Sequence, residues 1–390
     1  MKRLIMAFAL SASSLSLLAQ APKVTILEQN TLVKKEEGRY PIGQLTRNGA
    51  GGITYLDGMK ELDRYIAWGT AAWVGDELWF AYSGDRDAHV CPWGVSHLIK
   101  SRDGGKTWSD PETINNTPLD DRDCGLMVTK KGTVILTWFT SIAYAQEAYQ
   151  SRGTRHYLRH FEKIPQETID HWLGNWIVRT EDGGKTWSEP IKVSTTSPHG
   201  PIQLKNGQIL SVGIAYIDNQ KCVGVETSKD DGKTWSIIST IPIEGFSAGE
   251  INEPHVVENS DGTLVALLRY EPSDSNCVLL QSESKDGGKT WTQAHKTDIW
   301  GYPPHILKMH DGTLVMTYGY RKAPFGERAA ISRDGGKTWS EPIMLADALN
   351  GDLGYPSSVE LKDGSILTFY YQEFEPGSPT AIFSTHWRLD

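Results

Sequence analysis

Cysteine is scarce in this chain. Four residues, Cys91, Cys124, Cys222 and Cys277, are scattered over 390 positions, too few for a disulfide-stapled framework. Positive charge is not in excess either. Lys and Arg number 39 against 48 Asp and Glu, a formal net charge of −9, which argues against nucleic acid or an anionic membrane as the main partner. Beyond the first 21 residues no apolar run approaches the length of a membrane-spanning helix. No linker or composition break divides residues 22–390, which read as one domain.

The N-terminus carries Lys2 and Arg3, an apolar run from Leu4 to Leu18, and then Ala19-Gln20-Ala21. This is the pattern of a cleavable secretory signal peptide over residues 1–21, so a secreted or periplasmic protein is expected. No cysteine sits at the cleavage site, and no lipid anchor is indicated. Export would permit a disulfide, and Cys91–Cys124 is the pair singled out.

What the chain has in abundance is a repeat. Ser101-Arg102-Asp103-Gly104-Gly105-Lys106-Thr107-Trp108 returns, with small changes, from Thr180, Ser228, Ser284 and Ser332. In the frame S/T-x-D-x-G-x-T-W the Asp can accept backbone N–H bonds and close a tight turn. The Gly supplies left-handed backbone, and the Trp a large apolar plug. One carboxylate per turn makes a poor cation cage, so these turns read as structural staples.

A second repeat runs between the turns: an inner strand, a DG-type hairpin and a return strand. It is clear at Glu253-Pro254-His255 with Asp261-Gly262, at Tyr302-Pro303-Pro304-His305 with Asp311-Gly312, and at Tyr355-Pro356-Ser357 with Asp363-Gly364. Weaker copies turn at Gly75-Asp76, Lys131-Gly132 and Asn206-Gly207. Six such units predict an all-β, six-bladed β-propeller. The sixth unit has no S/T-x-D-x-G-x-T-W turn, so the strand Lys23–Val33 is expected to complete it and close the ring. The long interval between the first two turns holds a helix-compatible insertion at about residues 143–175, read as a solvated helical segment or as a lid over the site.

In such a fold the inner-strand starts converge at one end of the axis. That end would gather Asp120 to Asp123, His199, Glu253, His255, Tyr302, His305 and Tyr355. The second-strand ends would add Asp85, Arg86, Asp87, His89, Arg269 and Arg321. Acids, bases and aromatics together mark a site candidate.

The five turns match the Asp-box of the sialidase-type β-propellers, and the chain resembles that family. The resemblance implies a glycoside hydrolase acting on a glycan, with a tyrosine nucleophile, a glutamate that takes the phenol proton, an aspartate acid/base and an arginine clamp. The segment Gly354-Tyr355-Pro356-Ser357 is similar to the one carrying the tyrosine, and Asn252-Glu253-Pro254-His255 to the one carrying the glutamate. Asp87 or Asp85 stands at the place of the acid/base, and Arg269 and Arg321 (or Arg328) at those of clamp arginines. Arg86, His89, Arg122, His199, His255, Tyr302 and His305 are expected to bind substrate. Neither a cofactor nor a metal is expected, because three histidines on three blades would surround a wide funnel.

One departure bears on substrate choice. The family's first inner strand carries Arg-Ile-Pro, whereas this one reads Ile66-Ala67-Trp68-Gly69-Thr70; Arg64 and Arg122 are the nearest replacements. The alternatives are a propeller lyase or other glycosidase using His and Arg on a uronic acid or deoxysugar, and a carbohydrate-binding propeller without turnover.

Overall fold

The structure is a computed structural model. It describes residues 20, 22–33, 65–146 and 155–390, with the backbone of four short strands between residues 38 and 62. The expected export signal and Arg64 lie outside the described residues. Six four-stranded antiparallel sheets form the blades of a β-propeller. Blade 1 runs Tyr65–Val74, Glu77–Arg86, Val95–Ser101 and Glu112–Asn115. Blades 2 to 5 repeat the order, their inner strands starting at Asp120, Ile202, Ile251 and Pro304.

Blade 6 draws three strands from the C-terminus, Leu353–Glu360, Ile366–Glu373 and Thr380–Leu389, and its fourth from the N-terminus, Val24–Val33. Val24 pairs with Leu389 and Val33 with Ile382, so the ring closes as the missing sixth turn implied.

Strand alternation explains why blades pack. Along Leu264–Tyr270, Leu264, Ala266 and Leu268 join Leu210, Val212 and Val225 of blade 3, while Val265 and Leu267 join Ile306, Leu314 and Met316 of blade 5. A strand buried on both faces reads as an unbroken apolar run. The repeated turns then tie the third strand of a blade to the fourth. In the first, Asp103 Oδ1 accepts from the N–H groups of Lys106 (3.0 Å) and Thr107 (2.9 Å), and Oδ2 from the Thr107 hydroxyl (2.6 Å). Those donors hold the Asp103 carboxyl well below its usual range, the Thr107 hydroxyl foremost. Gly105 lies at φ 91°, and a Cβ there would meet Leu367 Cδ2 at 2.7 Å, so glycine is required twice over.

The five turn tryptophans are unequal. Trp291 and Trp339 are buried, whereas Trp108, Trp187 and Trp235 are partly covered. Trp291→Ala is therefore expected to cost about 3–5 kcal/mol, and Trp235→Ala clearly less, by denaturant unfolding. Equal losses would contradict this packing.

The insertion contains a 3-10 turn at Ala143–Ala145 and two short helices, Arg155–Phe161 and Gln166–Trp172. It is docked, since Tyr144 and Tyr157 bury against Cys91, and the Trp93 ring sits 4.5 Å from His160. The expected Cys91–Cys124 bridge is absent, and both are free. Cys91 belongs to this insertion cluster, while Cys124 packs with Leu98, Leu126 and Trp138 between blades 1 and 2.

Candidate active site

Four inner strands break register near their starts: between Ala67 and Thr70, Arg122 and Gly125, Asn252 and His255, and Gly354 and Ser357. Each bulge leaves one residue in left-handed backbone: Trp68 (φ 53°), Asp123 (φ 53°), Glu253 (φ 34°) and Tyr355 (φ 50°). For residues other than glycine this costs on the order of 1–3 kcal/mol apiece, and such outliers gather at functional sites. A bulge re-aims a side chain that ordinary pleating would send between blades.

The re-aimed side chains meet. Tyr355 Oη donates to Glu253 Oε1, and Arg269 Nη1 donates to Glu253 Oε2. Arg269 Nη1 also lies 3.3 Å from Tyr355 Oη, while its Nε donates to Glu271 at 2.7 Å. Arg321 is anchored by the Leu353 carbonyl (3.0 Å), its guanidinium 5.9 Å from the Tyr355 ring centre. Tyr302 lies under both cations, with Arg269 at 4.4 Å and Arg321 at 5.2 Å from its ring.

Burial, and then the Glu253 charge, push the Tyr355 phenol well above its ordinary value. Burial also raises Glu253, but Arg269 and the Tyr355 hydrogen bond outweigh it and hold that carboxyl below its usual range. The resting pair is thus phenol and carboxylate, poised for the proton to pass from one to the other.

Other expected site residues fall elsewhere. Arg86 cannot touch substrate, being fully buried and ion-paired with Asp120 at 2.7 Å beneath the Trp68 ring. Arg122 does reach the first-blade position, its guanidinium 4.3 Å from the Trp68 ring centre and donating to the His89 carbonyl at 2.9 Å. Asp85 is the next-to-last residue of the second strand of blade 1, in left-handed backbone at φ 56°, and Asp87 accepts from the Trp93 indole at 2.6 Å.

His199, His255 and His305 do not surround a wide funnel. They are buried against one another, with ring centroids 4.6–5.0 Å apart. Two of them accept backbone N–H bonds, from Ile306 (3.0 Å) and Ser358 (3.4 Å). Burial drives all three imidazoles far below their usual value, with His255 near 3, so they stay neutral. Only His255 follows a bulge, two residues after Glu253, and the other two rings pack against it, so the trio is buried away from the wall of the site. Among the described residues no group of three or more His, Cys, Asp or Glu is arranged to hold a metal ion.

Two further residues had no chemical role assigned from the sequence, although Asp123 was placed at the site end within Asp120 to Asp123. Asp123 is buried, and its carboxyl is pushed up to about 7 by burial and by the Glu253 charge. The available signal was positional, because Asp123-Cys124-Gly125 sits at the bulge, as Glu253-Pro254-His255 does. Asp352, a loop residue before blade 6, accepts from Tyr65 and Tyr371, each at 3.0 Å. A cavity of about 1160 Å³ lies away from all this, at the seam of blades 6 and 1 between Val33, Trp73, Trp108 and Leu367. It is lined largely by turn residues and holds none of the re-aimed side chains.

Residues 160–368, more than half of the chain, match the BNR repeat-like domain. The chain belongs to that family, among its sialidase-like propellers. A sialidase of Bacteroides fragilis is 24% identical over 305 residues, covering 70% of this chain and 53% of its own. The chain spans about half the length of the curated relatives it matches. Among solved structures, a protein of unknown function from Dyadobacter fermentans aligns with TM-score 0.73 at 23% identity, over 94% of this chain and 99% of that one. Trypanosoma rangeli sialidase in complex with sialic acid aligns with TM-score 0.59 at 13% identity, over 96% of this chain and 60% of that one. At these identities the structural likeness establishes the fold of this BNR propeller.

Proposed function

We propose that this BNR propeller is an exported glycoside hydrolase that removes an acidic sugar from the end of a glycan, with Tyr355 as nucleophile. The observation that carries this is the hydrogen bond from the Tyr355 hydroxyl to Glu253, with Arg269 touching both. A phenol is a weak nucleophile until a base takes its proton, and Glu253 is that base. A tyrosine suits an anomeric carbon that bears a carboxylate, since an aspartate or glutamate there would repel it. Arg269 and Arg321 supply the fork geometry that binds a carboxylate, and Arg122, 4.3 Å from the Trp68 ring of the first inner strand, is the nearest replacement for the family's first-strand arginine. The sialidase names among the relatives agree with this chemistry. Export is supported by Lys2, Arg3 and the run Leu4 to Leu18.

The test is a panel of α-sialosides and uronic-acid glycosides, with products followed by chromatography and NMR. The expected result is release of the free acidic sugar with retained anomeric configuration, the outcome of a covalent intermediate. An unsaturated, ultraviolet-absorbing product would make the protein a lyase. Tight glycan binding without release would make it a binding module.

A further inference from the structure

The hydrolytic reading leaves the leaving-group acid open, and three side chains beside the nucleophile bear on it. His89 Nδ1 lies 2.8 Å from Tyr65 Oη, and Tyr65 Oη donates to Asp352 Oδ1 at 3.0 Å. Asp352 also accepts from Tyr371 at 3.0 Å and stands 3.4 Å from His89 Nδ1. His89 and Asp352 are 44% and 39% exposed, unlike the buried histidine trio. The cluster adjoins the nucleophile through Trp68, whose ring centre is 4.8 Å from His89 and 6.1 Å from Tyr355, and through Tyr371, 5.9 Å from Tyr355.

The loop is held so that His89, and not Asp87, is presented. Arg86 Nη2 (3.2 Å) and Arg122 Nη1 (2.9 Å) donate to the His89 carbonyl, and Trp93, packed on the insertion, donates to Asp87. With Tyr65 donating to Asp352, His89 Nδ1–H donates to Tyr65, and Nε2 is the edge left for substrate. A carboxylate that orients an imidazole through its far nitrogen is the arrangement by which histidine shuttles protons.

We propose that His89, positioned by Tyr65 and Asp352, is the acid/base of the reaction, in place of Asp85 or Asp87. This rests on the hydrolase reading above. In the first half-reaction His89 gives its Nε2 proton to the glycosidic oxygen as the bond from that oxygen to the anomeric carbon breaks. Tyr355 Oη bonds to the same carbon, and its proton passes to Glu253. In the second half the neutral imidazole takes a proton from water as the water oxygen attacks that carbon. Tyr355 departs and recovers its proton from Glu253, so the sum is hydrolysis.

The groups facing His89 set the pH behaviour. Burial lowers its imidazole, Asp352 opposes that through its hydrogen bond and charge, and Arg122 and Arg86 add to the lowering. The acid form of His89 is required, so activity is lost as pH rises through an imidazole value below the ordinary one. It is also lost as pH falls through the lowered Glu253 carboxyl, because that group must be ionised. Removing the Asp352 charge moves the alkaline limb to lower pH.

The decisive comparison uses the 4-methylumbelliferyl and lactosyl α-ketosides of N-acetylneuraminic acid with wild type, His89→Gln, Asp87→Asn and Asp352→Asn. His89→Gln is expected to lose on the order of 100-fold or more on the lactosyl substrate, and under about tenfold on the aryl one, which needs no protonation. Asp352→Asn should shift the alkaline limb of lactosyl ketoside cleavage to lower pH. A leaving-group-selective loss in Asp87→Asn, with His89→Gln sparing both substrates, overturns the proposal. If wild type cleaves neither ketoside, the sialoside form of the hydrolase reading fails, and an NMR titration of the His89 imidazole still decides. A midpoint that Asp352→Asn leaves unchanged overturns the relay.

Discussion

Tyr355→Phe is expected to leave the propeller folded and to remove nearly all turnover. The substitution deletes one hydroxyl from a ring packed beside Trp68 and Tyr371. Its partner Glu253 keeps the bond from Arg269, so no buried carboxylate is stranded. The stability cost is at most about 1.5–3 kcal/mol, the range for one hydrogen bond to a charged group. A typical domain has about 5–15 kcal/mol in hand, so the thermal midpoint falls by a few degrees at most. Activity has no such reserve. Without Oη no glycosyl–enzyme bond can form, and losing a nucleophile costs on the order of 10³–10⁶ in kcat. Circular dichroism with kcat on the best substrate of the panel checks both halves. A folded Tyr355→Phe variant retaining a tenth of wild-type kcat would remove the tyrosine from the mechanism.

The second large effect is expected from Glu253→Gln, and its pH dependence is the informative part. Glutamine keeps the shape: its amide oxygen can accept from Arg269 while its NH2 faces the Tyr355 oxygen as a donor, and Arg269 retains Glu271. What disappears is the base, for a loss on the order of 10²–10⁴-fold near neutral pH. The Glu253 charge is also one of the causes holding the Tyr355 phenol up, second to burial. Removing it lets the phenol titrate at lower pH than in the wild type. Residual turnover in Glu253→Gln on an activated aryl glycoside should therefore rise with pH through the alkaline range, as phenolate forms without help. Ultraviolet titration of the tyrosines, compared with Tyr355→Phe, should show the matching shift. A flat alkaline profile would mean that Glu253 acts only by position.

Much of the architecture was legible because repeats restate it. Five S/T-x-D-x-G-x-T-W turns and six DG-type hairpins follow from local chemistry, in which a carboxylate caps neighbouring N–H groups and a glycine takes left-handed backbone. The turn glycine of every hairpin does so, Gly262 at φ 88° among them. Ring closure followed from counting, since a missing sixth turn left one strand for Val24–Val33 to supply. Tyr355, Glu253 and Arg269 were also recognisable, each beside a proline or a hairpin that marks its position.

The sequence alone determined, then, the strands, their turns and their number, and it singled out Tyr355 and Glu253, which the fold brings together. Which chemistry-bearing residues face the site was settled only by tertiary structure, because burial depends on which blade lies opposite. Arg86, His89 and Asp87 share one four-residue stretch, yet Arg86 is sealed against Asp120 between blades, Asp87 is tied to Trp93, and His89 stands partly exposed across Trp68 from Tyr355. The histidines of blades 3, 4 and 5 repeat like site residues, but inner strands crowd together at the axis and press their rings into one apolar stack. Asp123 and Asp352 acquire their roles from partners on other blades. A short-range pattern records what one segment prefers; the contacts that shift a proton's affinity come from segments hundreds of residues away.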